Sequence, residues 1–350
     1  MEISASTSEK ILEFPNNPPP TFGATSVRFD DLVMSISSHD IDELSQAVRF
    51  WDHEYQRLQP GLFTGELQQI HIGGIQLLRA AWSQALLARG QSPPGTIAFG
   101  VHLSVQGKAT WRNYGCDQRH LLVNPDREVD LKATDNYEMA VLTVDKIRFQ
   151  QQLQRFCPSL DKTGQLPIVL QPKPETLNAL AAYLRLFFAW VKRHPQSLGQ
   201  SPLQTVFVQD IFSLLLTAIA STIDQPAPRP YSAKRIRLVK QAEELVNANP
   251  HQPLTLATLC RALQTSERTL IYSFQDIFDM SPMAYFKAQR LNGVHRQLKA
   301  ADPEVARVKD IALQWGFQHM GHFSQDYKAM FNESPSQTLR RSGRVSVRQL

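Results

Sequence analysis

The sequence predicts an α+β chain of several domains. A β-rich, barrel-like amino-terminal domain with a helical segment comes first, and an all-α domain of two tandem helix-turn-helix units follows. Three observations predict this. One pattern occurs twice near the carboxy terminus, as LTLATLCRALQTSERTLIYSFQDIFDMSP (254–282) and VKDIALQWGFQHMGHFSQDYKAMFNESP (308–335). Short alternating runs punctuated by Gly61, Gly65, Gly73, Gly74, Gly90 and Gly95 begin a strand-rich stretch over 61–145. Pro226, Pro228 and Pro230 then break the chain between the two regions, as a semi-rigid spacer does.

A chain of 350 residues with 42% hydrophobic content can bury two or three cores. Cys116, Cys157 and Cys260 stand singly, so neither a zinc motif nor a disulfide framework is expected. The start, MEISASTSEK, lacks the order of a signal peptide. The run IFSLLLTAIA (211–220) is too short to span a bilayer, so a cytoplasmic protein without a membrane partner is expected. Charge is unevenly placed. Residues 231–350 hold 17 Lys and Arg against 10 Asp and Glu, while residues 1–230 hold 20 against 22. The positive excess thus coincides with the repeated units, where it would draw a polyanion.

Taken in order, residues 1–26, with PNNPPP at 15–20, read as a flexible lead. A β-rich domain is expected over 27–222. LVMSIS (32–37) reads as a strand, and Asp40 or Asp42 can cap a helix after it. GELQQIHIGG, TIAFGVHLSV, RHLLVNP and YEMAVLTV read as antiparallel strands of a sandwich or barrel. Inward residues such as Phe99, Val101, Leu103 and Trp111 are candidates to line a ligand cavity, although a solid core would show the same pattern. His71, His102 and His120 have no metal-ligand spacing, so no metal is expected; no cofactor motif is present either. Beyond Asp145, KIRFQQQLQRF reads as a helix. Two apolar helices at 175–194 and 203–222 suggest a dimerisation region over 175–222. The linker is placed at 223–234 and the tandem units at 235–340.

Two helices joined by a tight turn form a unit whose second helix enters the major groove of duplex DNA. In the first unit Thr255 and Ser266 are caps, and Leu270 and Phe274 point inward. Arg268, Ile271, Tyr272 and Gln275 then fall on the opposite side, suited to base edges, a thymine methyl and phosphate. In the second unit Phe323, Tyr327 and Phe331 form the buried stripe. Met320, Gly321, Ser324 and Gln325 lie off it as groove contacts, and His322 and Lys328 as phosphate contacts. MSPMAYFKAQRLNGVHRQLKA (280–300) is the linking helix, in which Arg290 bonds neighbouring carbonyls or acids rather than bases. The tail 341–350 is basic and expected to be disordered.

These residues resemble the tandem helix-turn-helix domain of AraC/XylS-type bacterial transcription regulators. The likeness rests on Ala257, Ser266, Arg268, Leu270, Phe274, Ser281-Pro282, Tyr285 and Arg290-Leu291, then on Ile311-Ala312, Gly316-Phe317, Phe323, Tyr327-Lys328, Phe331 and Pro335. It implies that Arg268, Ile271 and Tyr272, with Met320, Gly321, Ser324 and Gln325, read DNA. The family usually has Gly after each reading helix, where this chain has Asp279 and Asn332, and often Arg in place of Tyr272. The amino-terminal part is similar to sensor domains of the family, with GELQQIHIGGIQLLRAAWSQALLARG close to the ethanolamine-utilisation regulator group. The resemblance implies a non-enzymatic, effector-responsive activator. Its partners would be promoter DNA, a second copy, a small-molecule effector and RNA polymerase. Two other readings remain open at this level: an enzyme domain fused to a DNA-binding domain, and a ligand-free regulator answering to protein partners.

Overall fold

Alternation of apolar and polar residues sorts the strand side chains into two faces, and that sorting builds the amino-terminal part. A computed structural model describes residues 33–157, 166–199, 201–222, 228–252 and 254–345. The expected lead (1–26) and part of the expected linker (223–227) lie outside them. One sheet has seven strands: β1 (Val33–Ser38), β3 (Gly65–Ile72), β4 (Ile75–Trp82), β11 (Tyr137–Asp145), β6 (Thr96–Ser104), β9 (Leu121–Asn124) and β12 (Val169–Leu170), in that spatial order. The other has five: β2 (Asp52–Arg57), β5 (Leu86–Gln91), β10 (Glu128–Ala133), β7 (Ala109–Trp111) and β8 (Tyr114–Cys116). Neighbouring strands run antiparallel, as in the pairing of β3 with β4 and of β10 with β5. Gly73 and Gly74, at φ +50° and +78°, make the two-residue turn between β3 and β4. Neither sheet closes on itself, so the expected barrel is an open two-sheet sandwich.

Each face has its own partner. Between the sheets lies a core that includes Leu67, Leu78, Trp82, Ala98, Leu122 and Val141. On the far side of the large sheet, Phe99, Val101, Leu103, Leu121 and Val123 meet a helical layer. That layer comprises α2 (Lys146–Phe156), α3 (Pro174–Arg193) and α4 (Ser201–Ala220). Leu177, Leu180, Ala181, Leu184, Phe187, Phe188 and Val191 recur at three- and four-residue spacing along α3 and are all buried. Each large member contributes about 1.5–3 kcal/mol. The α4 segment Pro202–Ala220 is long and apolar enough to cross a bilayer by length and composition, which the ten-residue run had not suggested. Its Ile211, Leu215, Leu216 and Ile219 are buried with α3 in this layer. A short helix, α1 (Ile41–Ala47), is capped by Asp40, whose carboxylate accepts from the Asp42 N–H.

The described residues of the carboxy-terminal part carry helices and no strand: α5 (Ala233–Ala248), α6 (Leu256–Ala262), α7 (Glu267–Phe278), α8 (Pro282–Ala300), α9 (Val308–Gln314), α10 (Met320–Phe331) and α11 (Pro335–Val345). The last helix runs through Val345, so the tail expected to be disordered from 341 is helical over its first residues. Thr255 caps α6 in a reciprocal capping box, and Ser266 and Ser281 cap α7 and α8. Phe274, Phe278, Tyr285 and Phe286 form the core of the first unit, which also takes in Leu58, Ala85 and Leu87 from the sandwich. Phe323, Tyr327, Leu298 and Ile311 form the core of the second. Gly293 leaves room for the Trp315 ring, 2.2 Å from where a Cβ would stand.

Polar contacts tie the two parts together. Arg89 pairs with Asp130 beside it and with Glu243 of α5 at 2.7 Å, and the Tyr285 hydroxyl donates to Glu243. Asn292 of α8 accepts from the Arg57 N–H and donates to the Arg57 carbonyl. Lys299 Nζ lies 2.7 Å from Asp40 and 3.0 Å from Asp42.

Candidate nucleic-acid interface and inter-sheet cavity

The stripe that buries Leu270, Ser273, Phe274, Ile277 and Phe278 turns the other side of α7 outward. Arg268 and Gln275 are exposed there, as are Ile271 at 37% and Tyr272 at 51%. The guanidinium of Arg268 lies over the Tyr272 ring, 5.3 Å from its centre. Gln275 Nε2 donates to Asp279 at 2.6 Å, so this side chain is engaged by the end of its own helix. All four residues stand on one accessible face carrying a cation, an amide, an apolar group and a phenol.

Burial of Phe323, Tyr327 and Met330 orients α10 in the same way. Gly321, His322, Ser324, Gln325 and Lys328 are exposed and Met320 is half-buried. Nothing lies within 4 Å of a Cβ built on Gly321, so this face is open. His319 precedes α10 without a capping side-chain bond. Asp279 and Asn332, at φ +57° and +59°, take the left-handed conformation that ends each helix where the family favours Gly. Arg290 donates to the Gln252 carbonyl at 2.8 Å and is buried away from both faces, a bracing role.

The inter-sheet cavity differs from the expected lining. The centre of a water molecule has about 60 Å³ of it to move through. Of the four residues read as its lining, only Trp111 borders it. Phe99, Val101 and Leu103 lie on the opposite face of β6, in the core shared with the helices. A strand buried on both faces is apolar throughout, so its sequence does not say which alternate set faces which partner. The residues that do border the space include Trp51, His53, Tyr55, Trp82, Asn124 and Met139. Of their segments, WDHEYQR was not read as a strand, and the Asn in LLVNP was a recognisable polar residue in an apolar run.

The three histidines are dispersed in their bonding. His71 Nε2 meets Gln69, His102 Nδ1 meets the Tyr137 hydroxyl, and His120 Nδ1 is 2.9 Å from Asp117. A different set, Asp40, Asp42 and His295, brings ligand atoms within 4.8 Å of one another. Lys299 already supplies the cation there, bonded to both carboxylates.

Residues 259–341 match a family described as a helix-turn-helix domain, and residues 46–220 match one described as an AraC-binding-like domain. The chain is 23% identical over 295 residues to the XylDLEGF operon transcriptional activator 1 of Pseudomonas putida, covering 82% of this chain and 88% of the relative. It is 34% identical over 151 residues to the probable thc operon regulatory protein of Rhodococcus erythropolis, covering 42% and 44%. Among solved structures, the AraC-like transcriptional activator CuxR aligns over 75% of this chain and 96% of its own, at 16% identity and a TM-score of 0.37.

Proposed function

The chain belongs to the AraC/XylS-type family of DNA-binding transcription regulators, and on that premise we propose that it is a dimeric, effector-responsive activator. The observation that supports the DNA-reading assignment most is the face of α7. Ile271 and Tyr272 stand exposed on one face, and Arg268 beside them supplies the charge that DNA requires. Residues 235–340 act as the reader, 27–222 as the sensor and 223–234 as the linker. The face of α7 discriminates bases through Arg268, Ile271, Tyr272 and Gln275. The flatter face of α10 gives position and affinity through Met320, Gly321, Ser324 and Gln325, with His322 and Lys328 on phosphate. Promoter DNA and RNA polymerase are the partners of such an activator, and its place is the cytoplasm.

Effector binding is supported by the cavity between the sheets. Activation would follow if ligand favours one relation of sensor to reader. Operator titrations test the reading. Arg268→Ala is expected to lose about 1–3 kcal/mol on the cognate site while keeping its affinity for random DNA. Equal loss on both would assign Arg268 to phosphate, and no loss on either would remove α7 from the interface.

A further inference from the structure

The cavity between the sheets has walls of one chemical kind. Trp51, Trp82, Trp111 and Tyr55 supply aromatic surface, and among the described residues no Asp, Glu, Lys or Arg borders the space. The indole N–H groups of Trp51 and Trp111 are already used, on Gln76 and the Val123 carbonyl. What these two indoles offer is therefore ring surface. Strand alternation in β9 turns Leu122 and Asn124 inward, while Leu121 and Val123 join the helix-side core.

Asn124 is the exception in this wall. It is 3% exposed, and neither its Oδ1 nor its Nδ2 has a hydrogen-bond partner. A buried carboxamide with both ends unbonded is costly, and few native side chains are left so. His53 also borders the space with its Nδ1 unpartnered. Burial presses its imidazole down to about 4, so it is neutral at pH 7.

We propose that this cavity binds a small, uncharged, planar molecule carrying a hydrogen-bond donor and acceptor side by side, with Asn124 as its anchor. The class is that of aromatic carboxamides and lactams. One carboxamide complements another, giving a donor to Oδ1 and an acceptor to Nδ2. Indole and phenol rings accept a flat partner by stacking or edge contact. A carboxylate, phosphate or ammonium would enter without a counter-ion and lose its hydration unpaid by any opposite charge. The free space of about 60 Å³ has room for a few water molecules, so the ligand is small and displaces them. This inference rests on the effector-responsive reading and names its ligand class.

The test is calorimetric titration of the full chain, without DNA, using three monosubstituted benzenes at pH 7.5: benzamide, benzoate of the same size, and the smaller, apolar toluene. Benzamide is expected to bind at least tenfold more tightly than benzoate. Asn124→Leu should weaken benzamide at least tenfold and leave toluene unchanged, which also shows that the variant is folded. Equal or tighter binding of benzoate overturns the proposal. So does retention of benzamide affinity in Asn124→Leu, or failure of benzamide to bind, which would leave Asn124 to buried water. Should the variant not fold, the benzamide and benzoate pair on the unaltered chain decides. Operator binding is measured separately, so intact DNA recognition with no benzamide preference would remove the ligand class alone.

Discussion

At the residue scale, burial of a titratable group makes a measurable statement about stability. His102 is 4% exposed on β6, its Nδ1 bonded to the Tyr137 hydroxyl and its Nε2 unpartnered. Burial, with the neighbouring His120, presses its pKa down to about 4, against 6.5 for a free side chain. The unfolded chain therefore takes up a proton that the folded chain refuses. Stability is full above pH 6.5 and falls as pH drops from there towards 4, by about 3 kcal/mol for a shift of this size. His53 acts in the same direction over the same window. Urea unfolding at pH 7 and pH 5 checks the point. His102→Gln should be weaker than the parent at pH 7 and lose less on acidification. A variant with an unchanged acid slope would show that other groups set it. His295, buried at the joint beside Asp42, is also pressed below its free value by burial and adds to the same acid loss.

At the element scale, the strong periodicities were legible and the two-sided strands were not. The α3 stripe, the caps Thr255 and Ser266, and the helical periodicity that turns Arg268 outward all follow from local chemistry that a sequence displays. Phe99, Val101 and Leu103 were assigned to the wrong face because β6 is buried on both faces from Thr96 to Leu103. β2 was missed because DHEYQR contains polar residues whose partners, among them Arg296 and Asn292, come from far along the chain. Asn124 could have been found, since a polar residue inside an apolar strand invites the question of what it bonds. The same scale carries the oligomer prediction. Leu186 of α3 is 71% exposed and Val206 of α4 is 51% exposed, on the two helices expected to form the dimer. Apolar side chains exposed on neighbouring helices suit a twofold contact. Leu186→Glu is expected to shift the chain from dimer to monomer in sedimentation equilibrium and to weaken binding to a two-site operator. A parent chain that sediments as a monomer, or a variant that remains dimeric, would move the contact elsewhere.

At the scale of the whole molecule, the five-stranded sheet separates the inter-sheet cavity from the first helix-turn-helix unit. Its inner face borders the cavity through Tyr55, Ala88, Val129 and Leu131. Its outer face presents Leu87, Arg89 and Thr110 to the first helix-turn-helix unit, where Leu87 joins the core and Thr110 donates to the Ile277 carbonyl of α7. A displacement of this sheet would therefore be felt at the carboxy-terminal end of α7. The pair of Arg89 with Glu243 is the charged part of that contact, with side chains 30% and 12% exposed. Removing one partner of such a pair costs more than removing both, because the survivor stays desolvated. Glu243→Ala is expected to lower stability by about 2–4 kcal/mol, at the low side of a fully buried pair because Arg89 reaches solvent. Arg89→Met with Glu243→Leu should recover most of this through apolar packing once Asp130→Ala and Tyr285→Phe remove the partners that the pair leaves behind. The recovered multiple variant then isolates the coupling. It should bind operator as the parent does, yet its operator affinity should respond less to a ligand that the parent senses. Stability restored with the ligand response intact would place the transmission in other contacts across the joint, such as Arg57 with Asn292.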